Sequence, residues 1–345
     1  MKTVVRQWLT GAVLAFAGVL APASAQQPPQ KLTVALGSTS FAWLPFYVAQ
    51  GAGYFKAEGL EIEVTNVAAN ATPVAAILSK SADIAGIGVQ AAFAAADKKQ
   101  PIKILTPMTT EFTSLIFARK GVMEKKGVTA HSPLKDRVKA MAGLKLATTA
   151  VGAGPDLMYR FLFARYGDGI TVDKDARVVP VGDARNTLAA IKNGAVDVAA
   201  FSPPVPEKAI SDGDAEMLID TINGDIPETK GMVYTALAVT ADKIRTDGPA
   251  LEAFVRAIDR ANKLIYADTA AAGKAARSFM SSMESNLYDA SVKAMVPATP
   301  KAPTVSIDGL KVNMNVLKTG GYNYTVDYDT IVANDLVQRA LAARK

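Results

Sequence analysis

From Lys31 onward the chain alternates two hydrophobic periods. Residues 32–36 are an apolar run that predicts a strand, and residues 37–40 a small polar loop. Leu44, Tyr47, Val48, Ala52 and Phe55 then recur at spacings of three and four, the buried stripe of an amphipathic helix. Gly59 follows as a stop, and residues 61–67 predict a second strand. The alternation continues with helix 72–79, strand 82–88, helix 89–96, and strands 102–107 and 113–118. A charged loop over 120–139 precedes strand 144–148, and a glycine-containing loop over 149–156 leads into a helix through 163. Strand 178–181, helix 184–192, and strands 196–201 and 232–239 complete this part. From Pro249 the chain reads as largely helical, apart from a proline-rich connection at 296–305. Strands alternating with helices predict an α/β fold with one or two mostly parallel sheets.

One pattern recurs. AAILSKSADIAGIG (75–88) is echoed by AAIKNGAVDVAAFS (189–202). Each is a helix, a tight turn, an aspartate, an apolar strand and a small polar exit, so both halves can turn an exit loop toward a shared cleft. Residues 113–118 and 234–239 are the two strands expected to cross between halves. Two crossings make a hinge, and closure around a ligand is the motion hinges serve.

The segment before the first strand indicates where the protein works. Lys2 and Arg6 precede an apolar stretch at 8–20, and Ala23-Ser24-Ala25 is a small-residue cleavage signature. This is a secretory signal peptide, with cleavage expected after Ala25. Its apolar core falls short of the roughly 20 residues that span a bilayer. Removal of residues 1–25 leaves 320 residues with a formal net charge of +4. That charge is spread along the chain, without the basic cluster of a nucleic-acid surface. The chain has no cysteine, so disulfides, thiolate metal sites and thiol nucleophiles are excluded, and no lipid anchor can follow the signal. The single histidine, His131, lies in a lysine-rich polar stretch and reads as a solvated loop residue.

PFYVAQGAGYFKAEGLEIEV, ADIAGIG and VVPVGDARNTLAAIKNGAVDVAAFSPP, in this order, resemble the periplasmic solute-binding proteins of nitrate, sulfonate and taurine ABC importers. That group includes relatives that bind thiamine-pyrimidine precursors. The resemblance runs strongly from Leu32 to about Val239 and loosely through the C-terminal helices. It implies a type II periplasmic binding protein fold: two α/β lobes joined by two crossing strands, with ligand between them. Lobe 1 is expected at 31–117 and 234–345, and lobe 2 at 118–233. The implied partners are a small-molecule ligand and an inner-membrane permease with a cytoplasmic ATPase. A monomer in the periplasm is expected, with no cofactor, no metal, no nucleic acid and no membrane insertion.

The pocket residues are expected on loops at strand ends. Ser38, Thr39 and Ser40 supply hydroxyls, or cap the following helix. Trp43 either stacks on a ligand or belongs to the core. Gly88 and Gln90 follow the second motif strand, and Thr110 lies beside Glu111 ahead of the first crossing. In the second half, Thr149, Gly152, Ala153 and Gly154 form a loop whose backbone N–H groups meet a helix start, geometry suited to a carboxylate, sulfonate or nitrate oxygen. The third glycine of a dinucleotide fingerprint is replaced by Leu157. Asp156 is explained by the helix dipole alone. Arg185 is a candidate bidentate clamp or a surface ion-pair residue. Ser202 ends the echo strand at the cleft.

The expected ligand is a small organic anion, with a pyrimidine-type or other aromatic heterocycle as the alternative. A ligand carrier for a periplasmic sensor is a further reading, and an exported enzyme a weaker one. One histidine, no cysteine and no G-x-S-x-G motif leave little catalytic machinery.

Overall fold

The computed structural model describes residues 28–37, 39–66 and 72–343. The signal segment, Ser38 and Val67 lie outside the described residues. Among the described residues, ten strands form two five-stranded sheets. They are β1 (Gln30–Leu36), β2 (Leu60–Asn66), β3 (Ile84–Gly88), β4 (Ile102–Pro107), β5 (Leu115–Arg119), β6 (Lys145–Thr148), β7 (Arg177–Pro180), β8 (Val198–Phe201), β9 (Ala215–Ile219) and β10 (Thr235–Thr240).

The first sheet has the order β2-β1-β3-β10-β4 and the second β7-β6-β8-β5-β9. The two orders are equivalent strand for strand, with β3 and β8, the echoed pair, at the centre of each. β1 pairs in parallel with β2 and β3, and β6 with β7 and β8. β10 and β5 run antiparallel to both of their neighbours. The fold is the two-lobed type II arrangement, with helices covering both sheets.

The crossings differ from expectation in position. β5 and β10 each belong wholly to one sheet, and the chain changes sheet in the segments 108–114 and 220–234, the second of which carries the 3-10 turn Pro227–Thr229. An expected boundary after residue 117 therefore falls inside β5. The two crossings lie side by side. Met108 N–H donates to Thr235 O (2.8 Å), Tyr234 N–H to Thr109 O (3.2 Å), and the Thr109 and Thr235 hydroxyls are 2.8 Å apart. Side-chain oxygens cap several helices, those of Thr72, Asp183, Thr240 and Ser306 each accepting an N–H three residues on.

Other departures have local causes. The expected single helix over 44–55 is broken by Gly53, whose φ of +73° belongs to the left-handed region, giving Leu44–Gly51 and Tyr54–Ala57. The charged loop contains the helix Leu134–Ala140. There Arg137 is 6% exposed and donates to Asp225 (2.6 Å) and Leu218 O (2.8 Å). The long C-terminal helix begins at Ala241 rather than Pro249, with a kink at Asp247. The helix Ile307–Thr319 packs on both Val89–Asp97 and Gly154–Tyr166, so it touches both lobes. Among the described residues no helix is long and apolar enough to cross a membrane.

Glu207, on the helix Val205–Ser211 after β8, carries a pH signature. Burial pushes its carboxyl up to about 7, with Asp220 adding to the rise and its own backbone N–H opposing it. Its Oε2 is buried without a hydrogen-bond partner among the described residues. As pH rises from about 4.5 to 7 the unfolded chain releases this proton first, so stability falls across that window. Glu207→Gln is therefore expected to stabilise the protein by about 1–2 kcal/mol at about pH 8 and not at about pH 4. Urea denaturation at the two pH values checks this; equal effects at both contradict it.

Candidate functional site

Loops at the carboxyl ends of the parallel strands of both sheets meet across a cavity of about 360 Å³. From the first sheet, Gly37, Ser40 and Trp43 follow β1, Thr72 to Val74 begin the helix after β2, Gly88 ends β3 and Gln90 follows it. From the second, Thr149 to Pro155 follow β6, Gly182 follows β7, and Ser202 follows β8. Ser114, Tyr234 and Thr235 come from the crossing segments and their edges. The two walls also touch directly, Phe41 N–H donating to Pro203 O across the sheets (2.9 Å).

Of the residues expected from the sequence, Ser40, Trp43, Gly88, Gln90, Thr149, Gly152, Ala153, Gly154 and Ser202 are brought together here. Ser40 is buried, with the Tyr47 phenol close to its backbone. Trp43 is 5% exposed and belongs to the core of the first sheet as well as to the cavity wall. Its ring edge lies against Gly86, where a Cβ would stand 3.0 Å from Trp43 Cη2. The indole is thus a packed wall rather than a free plate. Ser202 Oγ is 3.1 Å from Thr113 Oγ1.

Three expected residues stand elsewhere. Thr39 is exposed and does not line the cavity. Thr110 turns toward the C-terminal segment, its N–H donating to Ala298 O (2.8 Å) and its hydroxyl to the same oxygen (3.3 Å). Arg185 is exposed in the first turn of the helix capped by Asp183, outside the lining. Glu111 accepts Gly231 N–H (3.2 Å), and His131 is an exposed loop residue.

The glycine loop of the second lobe is held internally. Gly152 adopts a φ of +75°, and its N–H donates to Asp156 Oδ2 (2.8 Å), so this amide is not available to a ligand. Asp156 is fully buried, and Arg160 Nε donates to its other oxygen (3.2 Å). The helix Gly154–Tyr166 has no side-chain cap, which leaves its start directed at the cavity.

Sequence reasoning missed Thr72, Ser114, Tyr234 and Thr235. Tyr234 ties the site to the hinge. Its hydroxyl is 3.0 Å from Ser114 Oγ, and its ring packs on Phe112 at 4.4 Å between centroids. Burial pushes its phenol up to about 12, against a smaller lowering by Ser114, so it stays protonated. The ring rests on Gly154, where a Cβ would meet Tyr234 Oη at 2.4 Å. The only sequence signal was an aromatic residue at the start of the expected crossing strand 234–239.

The family model described as the NMT1-like family matches residues 25–280. No curated protein matches the chain. Among solved structures, a protein of Bordetella bronchiseptica RB50 is similar at a TM-score of 0.75 and 20% identity, over 92% of this chain and 98% of that one. The periplasmic nitrate-binding protein NrtA of Synechocystis PCC 6803 gives 0.68 and 16%, over 92% and 89%. The periplasmic aliphatic sulphonate binding protein SsuA of Escherichia coli gives 0.62 and 14%, over 90% and 99%.

Proposed function

Because the chain belongs to the NMT1-like family, we propose that it is the substrate-binding component of an ABC importer, working in the periplasm after removal of residues 1–25. It captures a small organic solute between its lobes and delivers it to a membrane permease driven by a cytoplasmic ATPase. Ligand touching both walls stabilises the closed arrangement over the open one, and that difference drives closure. The observation that carries this reading is a cavity walled by strand-end loops of both sheets beside two adjacent crossing segments. Lobe 1 comprises residues before the first crossing and after the second, and lobe 2 the residues between.

The ligand head, a carboxylate, sulfonate or nitrate-like group, sits at the start of Gly154–Tyr166, where a helix favours negative charge. Ser40, Gln90 and Ser202 supply hydrogen bonds, and Trp43, Ala42 and Ile87 face the apolar remainder. A pyrimidine-type ring is the second reading, supported by the Trp43 wall and the Gln90 amide. The lining contains no histidine, carboxylate or amine to move a proton, which supports binding rather than turnover.

A thermal-shift screen of the mature chain against sulfonates, carboxylates, nitrate and pyrimidines tests the assignment. The cognate class is expected to stabilise by about 2.7 kcal/mol at 100 times its Kd. No shift from any class at millimolar concentration removes the assignment.

A further inference from the structure

We infer that this cavity accepts ligands carrying one negative charge or none and rejects dianions and cations. Charge count therefore separates a sulfonate or carboxylate from a phosphonate or phosphate. The inference rests on the reading of this cavity as the ligand site.

None of the lining residues is Asp, Glu, Lys, Arg or His. Ser38 and the Val-Ala-Ala-Asn-Ala run at 67–71, which fall outside the described residues, carry no ionisable side chain in the sequence. The charges behind the wall do not help an anion. Asp156 is fully buried beneath the helix start, and its partner Arg160 is shared with Asp173 (2.8 Å), leaving two carboxylates on one guanidinium. Arg185 stays outside the lining.

What does favour negative charge is dipolar. Three helices begin at the cavity: the short Pro73–Leu78, whose start is capped by the Thr72 side chain, and two without a side-chain cap, Val89–Asp97 from the first sheet and Gly154–Tyr166 from the second. Each uncapped start is equivalent to roughly half a positive charge, and Asp156 in the first turn of the second offsets part of its share, so together they balance at most about one negative charge. Two neutral groups complete the setting. Ser40 is 2% exposed and lines the cavity, and neither its hydroxyl nor the Gln90 amide has a side-chain hydrogen-bond partner among the described residues. A second negative charge meets no counter-charge in a partly desolvated space, and a cation meets two positive helix ends.

Isothermal titration of the mature chain tests this with two matched series, propyl and benzyl, each presented as sulfonate, phosphonate, carboxamide and amine. Mildly alkaline buffer keeps the phosphonate a dianion. The sulfonate or carboxamide is expected to bind, the phosphonate at least about tenfold more weakly than the sulfonate, and the amine not at all. Gln90→Lys, which adds a cation to the lining, is expected to narrow or reverse the sulfonate preference. Phosphonate affinity within about threefold of sulfonate, binding of the amine, or an unchanged preference in Gln90→Lys overturns the inference. Binding by no member of either series overturns the assignment of the site itself, a different outcome from failed discrimination.

Discussion

Trp43→Ala is expected to lower the free energy of unfolding by about 3–5 kcal/mol. Trp43 is almost fully buried and packs in the core of the first sheet while forming one wall of the cavity. Its ring edge lies on Gly86, a position where any side chain would collide with Leu36 and the indole. Wall and floor are therefore fitted to each other, and truncation leaves a void that the strand cannot collapse to fill. The same substitution opens the cavity toward the core and is expected to weaken binding of any ligand that stabilises the wild type. Guanidinium denaturation measures the first effect and titration the second. A loss below about 1 kcal/mol would show the ring to be a loosely held surface group.

Gly154→Ala is expected to damage both binding and stability. The added methyl meets Tyr234 at its hydroxyl, Cε2 and Cζ, all under 3.0 Å. Tyr234 is pinned by Ser114 and Phe112 on the other crossing segment, so it has little room to swing aside. Either the phenol leaves Ser114 or the helix start moves back from the cavity. Overpacking of this kind costs about 1–3 kcal/mol of stability. Displacing a helix start that faces the ligand is expected to cost roughly 10–100-fold in affinity, about 1.4–2.7 kcal/mol. An unchanged affinity, measured at a concentration where the variant is folded, would detach the Gly154 helix from the ligand.

The strand-loop-helix opening was legible because its apolar spacing changes period where the elements change, and β3 and β8 because their flanking motifs repeat. Ser40 and Gly154 were legible as small polar or glycine positions at strand ends. β9 was not: AEMLI carries a glutamate between apolar residues and follows a charged turn. The helix Leu134–Ala140 was hidden because its buried face includes Arg137, which enters the core only by pairing with Asp225, distant in sequence. Tyr234, Ser114 and Thr235 lie in or beside the crossings, where backbone runs between sheets without period, so no pattern marks their inward faces. Arg185 is the opposite case. Its residue type suits an oxyanion, but the turn of the helix sends it to solvent.

The strand order also sets an order of assembly. All five strands of the second sheet lie within residues 115–219, so that sheet can be completed as soon as this stretch is available. The first sheet cannot, because β10 occupies the place between β3 and β4, and those two strands share no ladder. A nascent chain that has made β1 to β4 carries two open strand edges until residue 240 has emerged. During synthesis the second lobe is thus able to form first, and the first lobe, though begun earlier, is closed by a strand that its partner delivers.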